Sequence, residues 1–318
     1  MKKGIAFLLS LLLMLSLFSV SLAEEPARVV ALKGPTAMGL VKLMEDNDGA
    51  YDFSIEAAPD LVAPLIIQGK ADIAAVPANL ASVLYNKLGG GVQVLAVNTL
   101  GVLYIVERGE TVQTAADLRG RTIYASGQGA TPEYALNYIL RGNGIDPEKD
   151  VDIQFMSEHT ECLNALLNNA DGIALLPQPF VTTAMMKADD LRVALDLNDC
   201  WDELQAGAES PSALLTGVVI ARREFVEAHP DLVTAFMDAY AESVFWMKTT
   251  PDESAALIGK YDIVPEAVAK KALPACNIVY IEGAEMQTML SGYLATLFEQ
   301  NPAAVGGALP GEDFYYAR

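Results

Sequence analysis

The chain has 318 residues, 52% of them hydrophobic, which is enough apolar side chain for two cores rather than one. Its 41 acidic residues outweigh 21 basic ones, giving a formal charge of −20, and no basic stripe is present that would neutralise phosphates. Nucleic acid is therefore not an expected partner.

The amino terminus, MKKGIAFLLSLLLMLSLFSVSLAEE, places Lys2 and Lys3 before an apolar run from Ile5 to Phe18 and ends on the small-residue site Ser21-Leu22-Ala23. This predicts a cleaved secretory signal over 1–23, with an uncleaved membrane anchor as the weaker alternative. Loss of its two lysines takes the formal charge from −20 to about −22. Glu24 stands where a lipoprotein needs a cysteine, so the expected product is extracytoplasmic or periplasmic and not a lipoprotein. The three cysteines, Cys162, Cys200 and Cys276, allow at most one internal bridge and are read as buried thiols, with a Cys162–Cys200 bridge left open.

In chain order, the first lobe predicts strand 28–33, helix 36–47, strand 51–57, helix 60–69, strand 72–76, helix 78–88 and strand 92–98. Strands alternating with helices of this length call for a mainly parallel sheet flanked by helices. Two extended runs, VQVLAVNTL (92–100) and GVLYIVERG (101–109), then meet with only Thr99 to Gly101 as a turn. They are read as the first crossing between lobes. The second lobe predicts strands 121–125, 151–155, 172–176 and 192–196, with helices 131–142, 159–168, 178–188 and 199–205. SALLTGVVIA (212–221) is the return crossing, followed by helices 223–229, 230–248, 252–260, 265–273 and 283–299. The tail from 301 to 318 is rich in Gly and Pro and reads as irregular.

The stretch RTIYASGQGATPEYALNYIL (121–140) is a strand, a loop and a helix whose start has Thr131 as cap, Pro132 in the first turn and Glu133 on the dipole. Such a junction gathers unpaired backbone N–H groups and suits an anionic or strongly polar ligand group. An ordinary βα turn would look the same, but the pattern recurs. VVALKGPTAMGLVKLM (29–44) repeats it, YDFSIEA (51–57) answers VDIQF (151–155), and GKADIAAVPANLASVLY (69–85) answers NNADGIALLPQPFVTTAMM (168–186). The offset stays near 95 to 100 residues, as expected of one βαβαβ unit used twice.

With both lobes and crossings placed, the sequence resembles type II periplasmic substrate-binding proteins, in the branch serving ABC importers of sulfonates, taurine, nitrate and thiamine precursors. The residues that carry this are DLRGRTIY (117–124), ALNYILRGNGIDPEKDVDI (135–153) and REFVEAHPDLVTAFMDAYAESVFWMKTTPDESAAL (223–257). The resemblance implies an α/β, two-lobed fold: lobe 1 from 24–104 and 213–318, lobe 2 from 105–212, joined by two crossover hinge segments. It further implies capture of a small polar solute between the lobes, delivery to a membrane ABC permease with its ATPase, a monomer, and no cofactor, metal or catalytic residue. The ligand loops depart from the family, with neither a sulfonate-type arginine nor an aromatic-rich cage, so no ligand is carried over.

Closure on a ligand requires contacts from both lobes, so candidates come from matched loops. From the first lobe these are Thr36, Asn79 and the backbone of Gly34 to Ala37. From the second they are Gln128, Gly129, Thr131 and Gln178, with Thr99 at the crossing. Lys33 is the one cation of the first loop, and Phe180 is read as a helix start packed on the core. Thr131→Ala and Asn79→Ala are expected to weaken binding with little change in stability. The alternative is an exported enzyme on the same scaffold, acting on a pyrimidine- or amino-acid-like substrate. His159 and His229 stand in no metal-ligand spacing, Glu158-His159-Thr160-Glu161 reads as the polar start of a helix, and no nucleophile elbow or Walker loop is present.

Overall fold

A computed structural model describes residues 25–207 and 212–318; the predicted signal peptide lies outside them. The first lobe opens with β1 (Ala27–Leu32), α1 (Pro35–Met38), α2 (Val41–Glu45), β2 (Tyr51–Glu56), α3 (Pro59–Ile67), β3 (Ile73–Pro77), α4 (Ala78–Lys87) and β4 (Val92–Leu100). The second holds β5 (Leu103–Arg108), β6 (Thr122–Ser126), α5 (Thr131–Gly142), β7 (Asp152–Met156), α6 (His159–Asn168), β8 (Ile173–Pro177), α7 (Phe180–Lys187), β9 (Leu191–Asp196) and α8 (Leu197–Gln205). The chain then returns through β10 (Leu215–Arg222) to α9 (Arg223–Ala228), α10 (Pro230–Thr249), α11 (Pro251–Lys260), α12 (Glu266–Ala272), β11 (Ile278–Ile281) and α13 (Gly283–Gln300).

The strands form two sheets, ordered β11-β4-β10-β3-β1-β2 and β7-β6-β8-β5-β9. The repeat seen in the sequence is a repeat of topology. β1 lies parallel between β2 and β3, as β6 lies parallel between β7 and β8. Each sheet then receives one strand from the other half, inserted antiparallel: β10 between β3 and β4, and β5 between β8 and β9. The sheets are therefore mixed, with a parallel βαβαβ core. β5 follows β4 across the two-residue link 101–102 with no helix between them, and enters its sheet against the direction of β8 and β9.

Strand residues alternate between two buried faces, as a sheet covered on both sides requires. Val30 faces a core shared with α3, α4 and α13, whereas Val29 and Ala31 face the core beneath α1, α2 and α10. In α10 the predicted stripe of Val233, Phe236, Met237, Tyr240, Val244 and Met247 is buried.

Three local features differ from expectation. The helix predicted over 36–47 is broken at Gly39-Leu40, because Ser243 of α10 inserts into it. The Ser243 hydroxyl donates to the Gly39 carbonyl at 2.6 Å and accepts from the Leu43 N–H at 3.2 Å, replacing the helical bond between those groups. The short strand β11 was not expected, and its pairing with β4 rather than its own propensity makes it a strand. The tail turns back onto the first lobe, with Phe314 fully buried and Tyr315 bridging to Val94.

Candidate functional site

In parallel strands all carboxyl ends lie on one edge, and ligands bind beyond it. In the second lobe that edge carries the ends of β6, β7, β8 and β9, because β9 regains their direction by pairing antiparallel to β5. In the first lobe it carries the ends of β1, β2, β3 and, by the same double reversal, β4. The two edges face each other across the short link Gly101-Val102 between β4 and β5.

This link is pinned from both sides. The Gly101 carbonyl accepts from Asn198 Nδ2 of α8 at 3.0 Å and from Asn277 Nδ2, before β11, at 2.6 Å. Asn277 sits in the left-handed region at φ 46°, and its own carbonyl accepts the Leu100 N–H at 3.1 Å. The Tyr104 hydroxyl donates to the Ala275 carbonyl at 3.3 Å. Gly101 has no room for a side chain: a Cβ there would lie 2.0 Å from Asn198 Oδ1 and 2.9 Å from Leu214 Cδ2.

On the first-lobe edge, Gly34 precedes α1, and the Ala37 N–H closes a turn onto the Gly34 carbonyl at 3.1 Å. The Thr36 hydroxyl donates to the Leu32 carbonyl at 2.7 Å, and the Thr36 carbonyl accepts Asn98 Nδ2 at 3.1 Å. The Thr99 hydroxyl donates to Asn98 Oδ1 at 3.0 Å, so Thr36, Asn98 and Thr99 form one buried polar cluster beneath the edge. Ala37 is wholly buried, and Lys33 pairs at 2.9 Å with Asp262. Asn79 looks away from the cluster: it is buried and donates to the Ala304 carbonyl at 3.3 Å, while Ser82 donates to the Val305 carbonyl at 2.7 Å. These α4 side chains hold the carboxyl-terminal turn.

On the second-lobe edge, Gln128 and Gly129 are exposed in the turn before α5. Gly127 makes that turn possible, at φ 76° with Pro132 against it. The cap expected from Thr131 is not formed. The N-cap is Ala130, with no side-chain bond, and the buried Thr131 hydroxyl instead meets the Tyr293 hydroxyl of α13 at 3.0 Å. Gln178 is buried and its Oε1 accepts from Thr182 N–H and Oγ1 at 3.3 and 2.9 Å, closing the start of α7. Of the nine candidates, Gly34, Thr36, Ala37 and Thr99 gather on one lobe and Gln128 and Gly129 are presented by the other. Asn79, Thr131 and Gln178 spend polar side-chain atoms on internal contacts, and so do the hydroxyls of Thr36 and Thr99.

Ser126 and His159 were not among the candidates. Ser126 ends β6 and is hydrogen-bonded to His159 Nδ1 on the first residue of α6. The imidazole lies against Phe180, ring centroids 5.2 Å apart, and burial lowers its pKa from 6.5 to about 4. It is therefore a neutral ring at physiological pH. Phe180 packs against the core as expected and also forms one wall of this group. The signal available in the sequence was the position of Ser126 at a strand's carboxyl end. His159 is masked in the sequence by its flanking Glu158 and Glu161, which give the segment the look of a polar helix start. Surface cavities of about 430 and 270 Å³ lie elsewhere, by Arg141 to Glu148 and around Arg28, Asp72 and Phe225.

The comparisons with known proteins agree with this architecture. The profile of the NMT1/THI5-like family matches residues 52–254, and the chain belongs to that family. Among solved structures, an ABC transporter protein from Parabacteroides distasonis superposes with a TM-score of 0.77 at 24% identity, covering 93% of this chain and all of that one. The periplasmic aliphatic sulphonate-binding protein SsuA of Escherichia coli gives 0.72 at 17% identity, over 92% of this chain and 96% of that one. The periplasmic nitrate-binding protein NrtA of Synechocystis PCC 6803 gives 0.59 at 14% identity, over 77% and 70%. At these identities the likeness establishes the two-lobed fold. Comparison with curated protein sequences gives no match.

Proposed function

We propose that this protein is the solute-binding component of an ABC importer, taking one small polar solute between the two strand edges and delivering it to a membrane permease with its ATPase. The observation that carries the reading is the pair of facing edges joined at Gly101, since a ligand touching both would favour the closed arrangement. Membership of the NMT1/THI5-like family and likeness to sulphonate- and nitrate-binding proteins support it. In this reading lobe 1 comprises 24–104 and 213–318, lobe 2 comprises 105–212, and the chain acts as an extracytoplasmic monomer after loss of residues 1–23. The cleft contributes hydrogen bonds from Gln128, the Gly34 backbone and the Gly129 carbonyl, above the buried Thr36, Asn98 and Thr99 cluster, with no chemistry performed.

Among the described residues, the Ser126–His159 pair is the feature that favours an enzyme, since a neutral imidazole beside a hydroxyl is the arrangement of a base and nucleophile. Ser126 is only 2% exposed, however, which suits a packing role better than attack on a substrate. A thermal-shift screen of residues 24–318 against sulfonates, nitrate, amino acids, polyamines and thiamine precursors tests the reading. Binding to the native state raises the melting temperature in proportion to ln(1 + [L]/Kd), and recovered ligand should be chemically unchanged. Turnover of the bound compound, abolished by Ser126→Ala, would favour the enzyme.

A further inference from the structure

The second-lobe edge has helix amino termini where an oxyanion would be expected to sit, and the chain sets its own carboxylates on backbone N–H groups at or just before them. At α5, Glu133 Oε2 accepts the Gly129 N–H at 2.5 Å. At α6, Glu161 Oε2 accepts the Ser157 N–H at 2.9 Å, and at α8, Asp196 Oδ1 accepts the Asn198 N–H at 2.8 Å. An incoming anion would have to compete with a carboxylate for each of these N–H groups, and like charges sharing one donor repel. The first lobe does not offset this. Lys33 is engaged by Asp262, and Glu56 ends β2 on the same edge.

We propose that the solute taken in the cleft is neutral or cationic and rich in N–H donors, and that oxyanions such as sulfonate and nitrate are rejected. The inference rests on the capture reading and specifies its ligand class. The donors of such a solute meet carboxylate oxygens at the second-lobe edge, above a Ser126–His159 group whose imidazole is neutral at neutral pH and so adds no charge of either sign. The overall charge of −20 acts in the same direction, concentrating cations near the mouth within a Debye length of about 8 Å.

The test uses residues 24–318 purified without refolding. Native mass spectrometry identifies any retained solute, and thermal shift at pH 7 compares an oxyanion pool (nitrate, ethanesulfonate, sulfate) with an amine and amide pool (putrescine, agmatine, nicotinamide). A shift with the second pool alone, or a retained solute without net negative charge, is the expected result. A shift with the oxyanion pool, or a retained anion, would overturn the charge class while leaving solute capture standing. No shift with either pool and no retained solute would overturn capture itself, and this inference with it. Glu133→Ala frees the Gly129 N–H and is expected to raise ethanesulfonate affinity at least tenfold. Unchanged affinity would remove Glu133 as the occupant of that position.

Discussion

Thr131 illustrates how a residue chosen for one role can hold another. A threonine before Pro-Glu reads as a helix cap and a ligand donor, yet its hydroxyl is committed to Tyr293. Thr131→Val should therefore lower stability by about 1–2 kcal/mol, because Tyr293 is left with a buried unpaired hydroxyl. Chemical denaturation measures this, and Thr131→Val combined with Tyr293→Phe should recover part of the loss. A second expectation concerns His159. Unfolded, its imidazole takes up a proton near pH 6.5, whereas folded it does so only near 4. Between those values the unfolded state holds more protons, so stability falls as pH is lowered from about 6.5 to 4, by up to about 3 kcal/mol. Urea midpoints at pH 7 and pH 5 for the wild type and His159→Asn should differ in the wild type by the larger amount. Equal pH dependence in both would mean that His159 is not held neutral.

At the scale of elements, hydrophobic period and turn residues made most of the fold legible. The ranges of α5 and α6 coincide with those expected, since each begins after a loop that cannot continue a strand and ends where apolar spacing stops. Contacts with distant segments were not legible. Ser243 splits α1 from α2 from some 200 positions away, and β11 exists because β4 offers it an edge. The candidate site was legible only as loops: the sequence placed Gly34 to Ala37 and Gln128-Gly129 on facing edges, but not where their neighbours' side chains turn. Asn79 is such a case, because its partner is the tail that read as irregular.

The link at Gly101 carries its own prediction. Gly101→Ala should clash with Asn198 and cost roughly 2 kcal/mol or more, and Asn198→Ala in the same chain should restore part of that loss by removing the obstruction. If the double variant melts no higher than Gly101→Ala, the Asn198 contact does not set the geometry of the link.

At the scale of the molecule, the two lobes are copies of one topology that exchange a strand, with α13 packed against both. Tyr293 of α13 touches Thr131 and lies near Trp201, while Ser212 meets Thr296 at 3.4 Å. A body so joined behind the crossing is suited to hinge at Gly101 rather than to separate. Closure about that hinge on a captured solute is the central claim, and small-angle X-ray scattering of residues 24–318 tests it most directly. The measurement is made with and without the solute that gives the largest thermal shift, at saturating concentration. The account predicts a one-to-one complex with a smaller radius of gyration than the free protein. Saturated binding confined to one lobe, with the scattering profile unchanged in that lobe's variants and in the wild type, would contradict it.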